Sequence, residues 1–228
     1  MGRPGERRMR SRLLAIVGLA AAAVFFSAVV IDTPLLQWLA KPIPVLALAL
    51  WAGMQPGRDA KWIAAGLGFS ALGDLLLSLP FDAFVFGLLA FLLAHLLYLT
   101  AFVLRTRAPA LGWAVPVTAF GVIVFVTLQP HLGELRYAVL AYVIVICSMM
   151  WRALAQLGRR ELAPGVAQWS ALGAVTFALS DVLVARNRFI EESMTTQIVL
   201  MVLYWSAQGM LAASVSAVNR PALQPDRQ

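Results

Sequence analysis

Two aspartates, Asp74 and Asp181, interrupt stretches that are otherwise almost wholly apolar, GLGFSALGDLLLSL and GAVTFALSDVLVA. A carboxylate at the centre of a bilayer costs about 3 kcal/mol on insertion scales and more on others, so an acid kept there serves a proton, an ion or a catalytic step. Other polar side chains set among apolar residues include Lys41, His95, Tyr204 and Gln208. The chemistry open to this set is carboxylate acid–base catalysis. A carboxylic acid sheltered from water can keep its proton at neutral pH and act as a general acid, and an ionised carboxylate can act as a base. Metal-assisted hydrolysis is poorly served, because one of the two histidines, His131, falls in the loop QPHLGELR. A three-ligand zinc site would then consume His95 and both aspartates and leave no acid free as a base. A serine nucleophile has no GxSxG turn, and Ser180 has no adjacent histidine. Neither a metal nor a cofactor is expected.

The elements that must carry these residues are membrane helices. The chain has 228 residues, 61% of them hydrophobic and 13% charged, with a mean hydropathy of +0.81. A soluble domain of this length could not hide so much apolar surface, whereas lipid solvates it. An all-α, polytopic bundle of about eight transmembrane helices is expected. The spans run near Leu13–Ile31, Pro42–Met54, Ile63–Leu79, Phe84–Leu104, Leu111–Leu128, Tyr137–Trp151, Val166–Val184 and Ile198–Val218. The second and sixth are short and should extend into their flanks. Residues 1–12 form a basic tail, residues 13–218 a single helical domain, and residues 219–228 a second tail. The opening MGRPGERRMRSR and its apolar run resemble a signal sequence, but the run is long enough to span and is read as an uncleaved first helix. Cys147 is the one cysteine, so no internal disulfide can form, and it reads as a small core residue.

Charge sets the orientation. Fourteen of the 18 Lys and Arg residues fall in the N-terminal segment, the even loops and the C-terminal segment, against Lys41, Arg136, Arg186 and Arg188 on the opposite side. Both termini are therefore expected in the cytoplasm. The pI near 10.5 is a topology signal and not a nucleic-acid footprint. Depth follows from the ~1.5 Å helical rise. Asp74 and Asp181 come late in outward-running helices, His95 and Gln208 near mid-depth, Tyr204 above them, and Lys41 at the outer mouth of the second span. All six could share one cavity open to the non-cytoplasmic face.

A faint internal repeat bears on facing. Setting Asp74 on Asp181 also aligns Gly66 with Gly173, Ala71 with Ala178 and Leu72 with Leu179. Phe91-x-x-Ala94-His95 then lines up with Tyr204-x-x-Ala207-Gln208. Four spans per half would make this a parallel repeat about an axis along the membrane normal. Bland roles stand beside these readings. The acids could lock the bundle by pairing with Lys41, His95 could be a packing residue, and Tyr204 and Gln208 could be interhelical glue. Tyr98, Trp113, Trp151 and Trp205 suit interfacial belts or core packing. Arg186 and Arg188 could meet lipid phosphate, with Glu191 and Glu192 close enough to neutralise them.

KPIPVL at Lys41–Leu46, GLGFSALGDLLL ending at Leu77, FGLLAFLLAHLLY at Phe86–Tyr98, ALSDVLVARNRF at Ala178–Phe189 and YWSAQ at Tyr204–Gln208 resemble the YhhN-type lysoplasmalogenase family. The resemblance implies a multi-pass hydrolase of a bacterial-type inner or plasma membrane. It would cleave the vinyl ether of lysoplasmalogens to a fatty aldehyde and glycerophosphoethanolamine or glycerophosphocholine. Its acids correspond to Asp74 and Asp181, and its substrate-binding positions to Lys41, His95, Tyr204, Gln208 and Asn187. The partners expected are a lysophospholipid drawn from the bilayer and the membrane lipids themselves, with no nucleic acid. The competing class is a proton-coupled small-molecule or lipid transporter using the same aspartates. Such folds favour inverted repeats and helices broken at mid-depth, whereas Pro42, Pro44 and Pro116 are read here as lying near helix starts.

Overall fold

The computed structural model describes residues 4–79, 81–163 and 165–218; the C-terminal tail 219–228 lies outside them. The described residues are helical and contain no strand. In chain order the helices are α1 Pro4–Val30, α2 Pro34–Ala40, α3 Ile43–Gly53, α4 Arg58–Leu77, α5 Phe84–Arg105, α6 Leu111–Leu128, α7 Arg136–Leu154, α8 Val166–Phe189 and α9 Met194–Val218. Short 3-10 turns, Gln129–His131 and Gly133–Leu135, join α6 to α7. Eight segments are long and apolar enough to cross a membrane, with α2 and α3 together forming one, Pro34–Gly53. The chain is a multi-pass membrane protein.

Three boundaries differ from the sequence reading, each for a physical reason. α1 starts at Pro4, so Arg7, Arg8, Arg10 and Arg12 ride on its first turns. Proline suits the first position of a helix, and Glu, Arg and Met continue one well. The second span starts at Pro34 and not at Pro42. It bends where Pro42, which has no N–H, follows Lys41. Lys41 therefore sits about 10 Å into that span, and not at its mouth. α8 runs five residues past Val184 to Phe189, which puts Arg186, Asn187 and Arg188 on its last turn.

At the centre, α4 packs on α5 and α8 on α9, and glycines allow the close approach. A side chain at Gly73 would meet the Phe91 ring at 2.6 Å, and one at Gly173 would meet Leu211 at 3.0 Å. Small residues serve this purpose in membrane bundles, where packing rather than the hydrophobic effect joins helices. Phe91, Phe177 and Tyr204 meet edge to face at the middle of the core. α1 and α6 lie outside, turning Leu13, Ile16, Leu19, Val115, Val122 and Ile123 outward. At the end opposite the acids, Arg105 binds Asp59 at 2.8 Å and donates to Ser170 and Ser214. That cluster ties α4, α5, α8 and α9 together.

Candidate active site

Asp74 and Asp181 line the same cavity, a space of about 90 Å³ with mostly apolar walls. A volume of ~10–15 Å³ on this measure holds one water, so there is room for several. The walls come from the α2–α3 joint (Lys41), α4 (Asp74), α7 (Tyr142), α8 (Asp181) and α9 (Tyr204), with Phe84, Leu88 and Phe91 of α5 and Phe120 and Val124 of α6. Four of the six residues expected to share a cavity do so: Lys41, Asp74, Asp181 and Tyr204.

Each acid has its own set of partners. Asp74 is buried; Tyr204 donates its hydroxyl to Oδ2 at 2.7 Å, and the Lys41 ammonium stands 4.0 Å from Oδ1. Asp181 accepts the Tyr142 hydroxyl at 2.5 Å on Oδ2, and His95 Nε2 lies 3.8 Å from that oxygen. No Lys or Arg is paired with Asp181 among the described residues. Asp74 thus has a full positive charge beside it, and Asp181 has a phenol and an imidazole.

His95 and Gln208 do not reach the cavity. His95 is fully enclosed between the rings of Tyr142 and Phe177. Gln208 lies one layer behind Tyr204. Its Oε1 accepts the Tyr98 hydroxyl at 2.8 Å, and Tyr98 also meets Ser70 Oγ at 3.3 Å. Tyr98 is core, not interfacial belt. Asn187 sits apart, on the rim of a neighbouring hollow, where its side-chain oxygen accepts from Ser193 N at 3.0 Å and so shapes the α8–α9 turn. Arg186 is neutralised by Glu191 as expected, while Arg188 pairs instead with Asp82.

Tyr142 is the site residue that sequence reasoning missed. It is the one tyrosine of the apolar run AVLAYVIVICS. A phenol at mid-span needs a partner for its hydroxyl, and that was the available signal. Cys147 is half-buried and also lines the cavity.

A polytopic helical membrane protein with two carboxylates in a lipid-shielded hollow is the class that fold and site define. Residues 36–215 match the YhhN family, and the chain belongs to that family. It is 33% identical over 219 residues to "Lysoplasmalogenase TMEM86B" of Mus musculus, covering 93% of this chain and 89% of that protein. The protein of the same name from Homo sapiens is 35% identical over 196 residues, 84% of this chain and 80% of the relative. "Lysoplasmalogenase" of Mycobacterium bovis is 40% identical over 143 residues, 59% of this chain and 52% of its own length. No solved structure matches.

Proposed function

We propose that this chain hydrolyses the vinyl ether bond of lysoplasmalogens, with Asp181 as the proton donor and Asp74 as the ionised partner. The observation that carries the reading is the pair of acids on one apolar-walled cavity, only one of them beside an ammonium group. Relatives named lysoplasmalogenase supply the substrate class. They give the transport alternative no support.

Vinyl ethers resist base and yield to acid. The proton of Asp181 passes to the β-carbon of the enol ether, and the ether oxygen shares the resulting positive charge as an oxocarbenium ion. Water then adds to the carbon bearing oxygen, giving a proton back to a carboxylate. The hemiacetal so formed collapses to aldehyde and glycerol hydroxyl. In sum, one water is consumed and one C–O bond is broken. Tyr142 occupies Oδ2 of Asp181, which leaves Oδ1 to carry the proton toward the substrate. Tyr204 and Lys41 hold Asp74 as an anion able to face the cation in a site of low dielectric.

The cavity is too small for a whole fatty chain. A second apolar slot of about 380 Å³ between α6 and α7 shares Val143 and Cys147 with it, and the alkenyl tail extends there toward lipid. With both termini in the cytoplasm, as the charge distribution indicates, the acids stand in the outer half of the membrane. The test uses purified protein in detergent offered lysoplasmalogen, intact plasmalogen and an ester lysolipid, with aldehyde measured. Aldehyde from the first alone is expected, and its loss in Asp74→Asn and Asp181→Asn. Full turnover in both variants refutes the assignment.

A further inference from the structure

The proposed chemistry leaves a polar hollow unused. It measures about 560 Å³ at the end of the bundle nearest the acids, and it shares Lys41, Leu77, Phe84, Val184, Leu200 and Met201 with the acid cavity. The two spaces therefore adjoin across these shared residues. Asp82, Asn187, Arg188, Glu192 and Gln197 supply the rest of its polar lining.

Arg188 is held in place there. It donates to both oxygens of Asp82 at 3.1 and 3.0 Å, and its guanidinium lies 4.7 Å from the centre of the Phe84 ring. Exposed ion pairs add little to stability, and a surface staple needs no hollow beside it. Glu192 has no ion-pair partner among the described residues. Lys41 and Arg188 thus face Asp82 and Glu192, two positive and two negative groups around one space.

The spacing along α8 fits a particular ligand. Asp181 and Arg188 are seven residues apart, two turns on one helix face and about 10 Å along the axis. From an sn-1 ether oxygen to the phosphorus at sn-3 is five bonds, roughly 6 Å at ~1.5 Å per bond with their angles. The flexible arginine spans the remainder.

We propose that this hollow seats a zwitterionic phospho-base headgroup. Arg188 and Lys41 take the phosphodiester, Glu192 and Asp82 take the ammonium, and the ether reaches the acid cavity beneath. Arginine matches phosphate oxygens through its planar fork. The identity of the lipid rests on the hydrolase reading; the binding chemistry does not.

The experiment measures calorimetric binding to the full chain in detergent, using saturated 1-O-alkyl lipids that contain no vinyl ether. The probes are an alkyl lysophosphoethanolamine, an alkyl lysophosphatidate without the ammonium, and an alkylglycerol without the phosphate. Arg188→Gln is expected to weaken both phosphate lipids by about tenfold, the loss of one charge-assisted contact, and to leave alkylglycerol unchanged. Glu192→Gln weakens only the zwitterion. Unchanged alkylglycerol binding certifies the fold, and Glu192, exposed and unpaired, gives a second variant that does not depend on the Asp82 contact. Free glycerophosphoethanolamine is expected to bind more weakly than the lipid; equal affinity would assign the hollow to a free solute instead. Parent-like binding of the zwitterion in both variants overturns the proposal, as does alkylglycerol binding as tightly as the zwitterion. If binding falls as expected while both Asn variants release aldehyde, the catalytic reading fails and the headgroup seat stands.

Discussion

Asp74 and Asp181 occupy matching stretches of sequence on α4 and α8, yet their neighbours differ in kind. Asp74 has an ammonium and a tyrosine from α9; Asp181 has an imidazole and a tyrosine from α7. Two carboxylates with equal surroundings compete for one proton. Two with unequal surroundings divide the work, one holding the charge and the other the proton. The Lys41 side chain creates most of that inequality, and it reaches Asp74 because Pro42 breaks the second span beside it. The same break shows why mid-depth prolines alone do not indicate a transporter: here a broken helix delivers a counter-charge.

The largest expected effect comes from the acids. Asp181→Asn removes the proposed proton donor and should lower kcat by about 10³-fold or more, within the usual reach of general acid catalysis together with its electrostatics. Asp74→Asn, in the proposed scheme, removes only the charge that steadies the cation and should cost about 10²–10³-fold. Initial rates of aldehyde release check the order. A reversed ranking would exchange the two roles without removing the pair. Lys41→Met should come next, at about tenfold to a hundredfold in kcat, with partial recovery in Lys41→Arg. Equal residual rates in Lys41→Met and in the parent would show that Lys41 is not what sets the acids apart.

The tyrosines sharpen the comparison further. Tyr142→Phe and Tyr204→Phe each remove one hydroxyl from a carboxylate. A lost hydrogen bond to a charged group is worth about 1.5–3 kcal/mol, one to a neutral group about 1 kcal/mol. If Asp74 carries the charge, Tyr204→Phe should slow turnover by about tenfold or more and Tyr142→Phe by less. The two rates measured side by side give the check.

Much of this was legible from residue order. The eight spans, and the two acids with Lys41 and Tyr204 on one cavity, follow from hydropathy and from isolated polar residues in apolar runs. Facing was not legible. α4, α8 and α9 are apolar around most of their circumference, so no polar stripe marks a side, and depth was argued without an angle. Gln208 and His95 have the depth of the acids but turn into the packing behind them. Tyr142 was lost for the opposite reason: it is one phenol within the apolar run of α7, and only its approach to Asp181 from another helix reveals its use. Helix length also misled, since the polar run ARNRF at the end of α8 reads as loop and is helical.

The smallest expected effect probes the packing beneath the two acids. In the register that sets Asp74 on Asp181, Gly66 corresponds to Gly173, and each lies against a residue three places beyond the aligned His95 and Gln208. Gly66 abuts Tyr98, and Gly173 abuts Leu211. Alanine gains about 1 kcal/mol over glycine inside a helix, while overpacking costs about 1–3 kcal/mol. At Gly66 the added methyl meets ring atoms of Tyr98 at 2.7 and 2.9 Å, and that ring is pinned through its hydroxyl to Gln208 and Ser70. At Gly173 it meets Leu211 at 3.0–3.1 Å, partly backbone, with no polar chain attached. Both variants should melt a few degrees lower in detergent. Only Gly66→Ala should also slow aldehyde release, because shifting Tyr98 disturbs Gln208 and, through the adjoining Tyr204, the oxygen that Asp74 presents. Parent-like turnover in a destabilised Gly66→Ala would show that the layer behind Tyr204 supports the helices without tuning the acid.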